Sequence, residues 1–143
     1  MMTIYFDMDG TIADFYGVEG WLNDLIAEKV RPYAEAEPLI DCKKLIKIME
    51  KLKAEGYNFG IISWTSKNGG KDFNKKVRKV KIEWLNKYFP NCFSEIHIIK
   101  YGTPKYKVAK NNGILFDDEE KNRIKWNKGQ SFSEKEIFRV LGY

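Results

Sequence analysis

Apolar and polar positions fall along the chain in blocks of two different periods. The runs at 3–8, 57–63, 95–99 and 113–116 are short, rich in β-branched and aromatic residues, and each passes into polar residues. Near-continuous apolar runs of this length suit strands buried on both faces of a sheet. A weaker run at 130–132 predicts a fifth strand. Between the runs the period lengthens. Over 41–55, Cys42, Leu45, Ile46, Met49 and Leu52 form one helical face, with Asp41 placed to cap its start and Gly56 to end it. Over 71–88, Phe73, Val77, Val80, Trp84, Leu85 and Tyr88 form a second stripe, and Pro90 lies beyond it. Thr103-Pro104 reads as an N-cap followed by proline at the first helical position, predicting a short helix that ends near Asn111-Asn112-Gly113. Ser133 and Glu136 have the spacing of a capping box ahead of Ile137, Phe138, Val140 and Leu141. The least regular stretch, 13–40, holds one candidate helix at 21–30 and then a loop containing Pro32 and Pro38.

Strands that alternate with helices imply βαβ units, hence an α/β domain with a mostly parallel sheet between two helical layers, Rossmann-like in outline. The expectation is one domain over 1–143, since a chain of this length buries on the order of 70% of its unfolded surface. Hydrophobic residues are 43% and charged residues 31%, which excludes disorder as the dominant state. The net charge of +5 admits an anionic ligand without implying nucleic acid. Cys42 and Cys92 form no metal-binding or redox motif, and read as two reduced, buried or half-buried thiols. No run approaches the ~18 apolar residues of a membrane span. The opening Met-Met-Thr-Ile-Tyr-Phe-Asp lacks the basic-then-apolar pattern of a secretory leader. A soluble, cytoplasmic protein is expected.

In open parallel sheets, ligands collect outside the carboxyl ends of the strands. The residues that follow each apolar run are therefore the candidates for chemistry. They are Asp7 and Asp9; Ser63 with Trp64, Thr65 and Ser66; the connection leading to Lys105; and Asp117 with Asp118. Carboxylates brought together repel, and a divalent cation relieves that repulsion. Mg2+ fits best, because it takes a few carboxylates together with water and a substrate phosphate. Lys105, at a predicted helix start, adds a positive charge where backbone N–H groups also attract anions. One carboxylate then remains free to attack phosphorus, since Asp forms covalent phosphoryl intermediates.

These residues resemble the four motifs of the haloacid dehalogenase-like (HAD) hydrolases, in the family's order and spanning 7–118. Asp7-Met8-Asp9-Gly10-Thr11-Ile12 is similar to the first motif, Ile61-Ile62-Ser63 to the second, Lys105 to the third and Phe116-Asp117-Asp118 to the fourth. The first is specific, while the second and third carry weight only through order and placement. The chain looks closest to small bacterial or phage members and to the deoxyribonucleotidase branch. The resemblance implies a phosphatase. Asp7 would be the nucleophile. Asp9 would act as acid and then base, and lend its backbone carbonyl to the metal. Ser63 would hydrogen-bond the phosphoryl oxygens, and Lys105 would hold Asp7 and the phosphate. Asp7, Asp117 and Asp118 would complete the Mg2+ site. An acid at position 9 favours phosphate esters over the metal-free dehalogenation that some family members perform.

Several assignments have rivals. Thr65 replaces Ser63 if the strand ends one or two residues later, and Lys105 is preferred to Lys100 and Lys107 for its helix-start position. Asp14 and His97 are read as structural, Lys67-Asn68-Gly69-Gly70 as a mobile surface loop, and Glu119 and Glu120 as a solvated acidic run. Lys71, Lys75, Lys76, Arg78, Lys79, Lys81 and Lys87 read as the solvated face of a helix. Phe15, Tyr16 and Trp21 either pack the core or close over the leaving group, because 13–40 is where the family places a flap and is short for a full cap. The leading substrate is a small phosphorylated metabolite or a nucleotide. Rival readings are an open site acting on nucleic-acid ends or a phosphoprotein, and a non-catalytic binding module of the same fold. The sequence does not fix an oligomeric state.

Overall fold

A computed structural model describes residues 2–142. Five strands, β1 (Thr3–Phe6), β2 (Asn58–Trp64), β3 (Glu95–Ile99), β4 (Gly113–Phe116) and β5 (Ser131–Phe132), form one sheet in the order β3-β2-β1-β4-β5. Every neighbouring pair is parallel. The expected α/β class is therefore present, and the sheet is parallel throughout. The helices are α1 (Trp21–Ile26), α2 (Arg31–Glu35), α3 (Cys42–Ala54), α4 (Lys71–Tyr88), α5 (Glu120–Lys125) and α6 (Ile137–Val140).

The pleat sorts the strand residues between two layers. Ile4, Phe6, Phe59, Ile61 and Phe116 face α3, α4 and α6, packing with Leu45, Met49, Trp84, Leu85 and Ile137. Phe6 is the centre of that layer, stacked on Phe59 and Phe116 with ring centroids 6.3 and 5.4 Å away. Tyr5, Ile62 and Leu115 face the other way, onto Trp126 and the Tyr106–Ala109 stretch, a thinner cover. The sheet thus lies between two layers, as in Rossmann-like folds. Asp41 caps α3 as expected, accepting from the Lys44 N–H at 3.1 Å.

Three local expectations need correction. The helix predicted from Thr103-Pro104 is a single 3-10 turn, Lys105–Lys107. Pro104 is extended (ψ 126°) and stands outside that turn, and the Thr103 carbonyl accepts from the Trp64 indole at 2.9 Å. The Ser133 capping box does not form. The Ser133 side chain makes no capping bond, the chain takes a 3-10 turn at Glu134–Glu136, and the Glu136 carboxylate turns to Arg139. The candidate helix at 21–30 stops at Ile26. The stretch read as a loop instead holds α2, with Pro32 in its first turn.

The 13–40 region is an excursion tied at its neck. Ala13 bridges to Pro38, and the Asp14 N–H donates to the Glu37 carbonyl at 2.8 Å. Its aromatic residues Phe15 and Tyr33 pack on Phe73 and Val77 of α4. The Lys67–Gly70 loop is pinned rather than loose: Asn74 bonds Ser66 and Gly69, and Glu28 accepts from the Gly70 N–H. Cys42 and Cys92 are free thiols, and His97 contacts buried Glu95, as the structural readings expected. Among the described residues no helix is long and apolar enough to cross a membrane.

Candidate functional site

The chain leaves β1 in one direction across the sheet, to β2 and β3, and returns to build β4 and β5 on the other side. The switch point lies at the carboxyl ends of β1 and β4, where open α/β sheets leave a crevice. Asp7 follows β1 and Asp117 follows β4, and by the pleat both belong to the face that carries Tyr5 and Leu115. Backbone bonds hold them there: the Asp7 N–H donates to the Phe116 carbonyl at 2.9 Å, and the Asp117 N–H to the Phe132 carbonyl at 3.1 Å.

Asp7, Asp117 and Asp118 each offer a carboxylate oxygen, and these oxygens lie within 4.8 Å of one another. The convergence of acids from distant segments, expected from the sequence, is therefore present. Lys105 reaches the cluster from the same face. Its Nζ donates to Asp7 Oδ1 at 2.8 Å and to Asp117 Oδ2 at 2.7 Å, with only 5% of the residue exposed. Burial alone disfavours the ammonium, but the charges of Asp7 and Asp117 outweigh it and keep Lys105 protonated. Lys100 and Lys107 are exposed.

A tight turn after β1 shapes the rest. The Thr11, Ile12 and Ala13 N–H groups all point at the Met8 carbonyl, within 3.0 Å. Thr11 Oγ1 lies 3.2 Å from both Asp7 Oδ2 and Asp118 Oδ1, and accepts from the Asp118 N–H at 3.1 Å. A hydroxyl carries one proton, so Thr11 serves the two acids alternately. Gly10 makes their approach possible. Its φ is +81°, and a Cβ there would stand 2.4 Å from Asp118 Oδ2.

The electrostatics are those of crowded acids. Burial opposes ionisation of Asp7, but Lys105 and the hydrogen bonds around it hold the carboxyl below its ordinary value. Burial, then the charge of Asp7, pushes Asp117 up to about 6 despite Lys105. Asp118, which lacks a lysine, is pushed up to about 8 by burial, Asp7 and Asp117. Burial also raises Asp9, with Lys81 opposing.

Asp9 departs from the acid cluster. Its Oδ2 accepts from Lys81 Nζ at 2.8 Å, and its carboxylate stands outside the group formed by Asp7, Asp117 and Asp118. Lys81 is the buried cation beside the site that the sequence reading missed. Placed there on a solvated face, it is 1% exposed and bonds Asp9, Ser63 Oγ and the Trp64 carbonyl. Ser63, on the Ile61 side of the pleat, points toward α4 and is occupied by Lys81. Strand β2 ends at Trp64, one residue beyond the expected end, and Thr65 follows it.

A cleft of about 250 Å³ opens above Asp7 and Asp9, and Thr65, Ser66 and Lys105 line it while Ser63 does not. Phe15, Tyr16, Trp21, Tyr33, Trp64 and Tyr101 line it too, so the 13–40 excursion forms its aromatic wall. Burial and the carboxylate charges push Tyr16 and Tyr33 up, so both stay neutral. Asp14 is absent from the cleft lining.

No family model matches the chain, and no curated protein matches it either.

Proposed function

We propose that this chain is a magnesium-dependent phosphomonoester hydrolase of the HAD type, working through an aspartyl-phosphate on Asp7. The observation that carries this reading is the set of three carboxylates within 4.8 Å, with a buried lysine against two of them, of which Asp7 and Lys105 line an aromatic cleft. The donor set fits Mg2+. It is all oxygen, and burial together with the charges of Asp7 and Asp117 pushes Asp118 up to about 8, a crowding of charge that a hard divalent cation relieves. Asp7, Asp117 and Asp118, with the Asp9 carbonyl, would hold the ion, which supplies charge neutralisation for the phosphoryl oxygens.

The chain's own residues perform the transfer. An Asp7 carboxylate oxygen attacks phosphorus; the Asp7–phosphorus bond forms as the ester P–O bond breaks, and the leaving oxygen takes its proton from Asp9. Water then gives a proton to Asp9 and attacks the same phosphorus, releasing phosphate and restoring the Asp7 carboxylate. Lys105 and the Thr65 hydroxyl hold the phosphoryl oxygens, so positioning and charge balance do most of the work. Thr65 replaces Ser63 in this role because it lines the cleft. The aromatic wall favours a planar leaving group, with a nucleoside monophosphate the leading substrate.

The test is hydrolysis of p-nitrophenyl phosphate with Mg2+ and with chelator, for the parent and Asp7→Asn. Turnover that needs both the ion and Asp7 is expected. Equal rates in parent and variant would remove Asp7 as nucleophile, and inactivity of both would favour a binding module. A screen that includes 5′- and 3′-nucleotides and sugar phosphates then ranks the leaving groups.

A further inference from the structure

We infer that Lys81 is a positioning residue that fixes Asp9 for proton transfer, an inference that rests on the phosphoryl-transfer reading above. Its ammonium carries three N–H donors, and three acceptors surround it: Asp9 Oδ2 at 2.8 Å, Ser63 Oγ at 2.8 Å and the Trp64 carbonyl at 2.7 Å. The group is saturated and 1% exposed, so it is not a cation held in reserve for substrate. It makes no hydrogen bond to Asp7, Asp117 or Asp118, whose bonded lysine is Lys105, although its charge also favours the Asp7 carboxylate.

What Lys81 does follows from which oxygen it takes. Asp9 Oδ2 is bound, whereas Oδ1 has no hydrogen bond among the described residues, and Asp9 lines the cleft. The proton that Asp9 gives to the leaving oxygen therefore rides on Oδ1. With Oδ2 anchored, the carboxyl loses the rotation that would let it turn away from the cleft. The anchor is itself rigid. It hangs from the middle of α4, is gripped by the end of β2, and stands 5.1 Å from the Tyr33 ring of the aromatic excursion. Proton transfer in the transition state is sensitive to such placement.

The test compares kcat/KM for two aryl esters, because that ratio reports events up to departure of the leaving group. p-Nitrophenolate leaves without a proton, and the more basic phenolate needs one. Lys81→Gln removes the charge and leaves an amide NH2 group, one bond shorter, on the side of Ser63 and Trp64. It is expected to lose about tenfold or more on phenyl phosphate beyond its loss on p-nitrophenyl phosphate. In an Asp9→Asn background the same change is expected to add no further difference between the esters, as for residues that act as a unit. Lys81→Arg, which keeps the charge, is expected to show the same unequal loss to a smaller degree, and serves as the test if Lys81→Gln does not fold. Equal losses on both esters, or a full further loss in the double variant, would overturn the inference while leaving the phosphatase reading standing. A parent that hydrolyses neither ester would overturn both.

Discussion

Lys105→Met removes the cation between two buried acids and leaves their shape nearly unchanged. Asp7 is 8% exposed and Asp117 is fully buried, and Lys105 Nζ stands within 2.8 Å of an oxygen of each. Removing one partner of a buried pair strands an uncompensated charge, at a cost of about 3–5 kcal/mol. At roughly 3 °C per kcal/mol for a chain of this size, the melting temperature falls by about 10 °C or more. The sign with pH follows from Asp117. Its carboxyl is already raised, to about 6, with Lys105 present, and rises further without it. A raised acid keeps its proton in the folded state after the unfolded chain has lost it, so stability falls as pH rises. The penalty is therefore smaller near pH 5 than near pH 8. Mg2+ binds the folded cluster and restores part of the loss, as any ligand of the native state does. Urea unfolding in chelator and in Mg2+, at both pH values, measures all three effects. A loss below about 1 kcal/mol near pH 8, or no recovery with Mg2+, would refute the reasoning, since a surface pair loses no more than that.

Other consequences can be checked separately. Because Asp118 holds a proton to about 8, Mg2+ binding displaces it. Affinity should rise with pH between about 6 and 8, and calorimetry in buffers of different ionisation enthalpy should detect the released proton; pH-independent binding would contradict the crowded-acid picture. Gly10→Ala forces a Cβ onto Asp118 and a side chain into positive φ. It should cost about 1–2 kcal/mol in strain and weaken Mg2+ binding besides, as read by titration calorimetry. Phe6→Ala empties the centre of the larger apolar layer, and an equilibrium denaturation curve should show a loss of about 3–5 kcal/mol. Trp21→Ala opens the aromatic wall, so KM for aryl phosphates should rise more than KM for glycerol phosphate.

The parallel sheet was legible because its central strands are near-continuous apolar runs, and two of them, β1 and β4, run directly into acids, so the positions of Asp7 and Asp117 followed from the strand ends. Lys105 was named for a helix start, yet only a 3-10 turn is there; the lysine is placed by the acids it joins rather than by helix capping. Ser63 does not line the cleft, and the pleat gives the reason. Two residues after Ile61, it shares that residue's face and points to α4. Lys81 was hidden among six other basic residues of one helix, although the signal was present: counting by threes and fours from Phe73 and Val77 reaches Lys81 before Trp84. Composition placed it on the wet side, whereas periodicity put it in the buried stripe, and the side-chain bonds follow periodicity. The Ser133 capping box failed because Arg139 competes for the Glu136 carboxylate, a choice between partners that spacing alone does not decide.

The central claim is that phosphorus passes through Asp7. Rapid acid quench of a single turnover with a radiolabelled phosphate ester, in Mg2+, tests it most directly. The account predicts label on the protein during turnover, mapped by proteolysis and mass spectrometry to the peptide containing Asp7, and absent in Asp7→Asn. Phosphate released with no protein-bound label at any quench time, or label on a different residue, would contradict it.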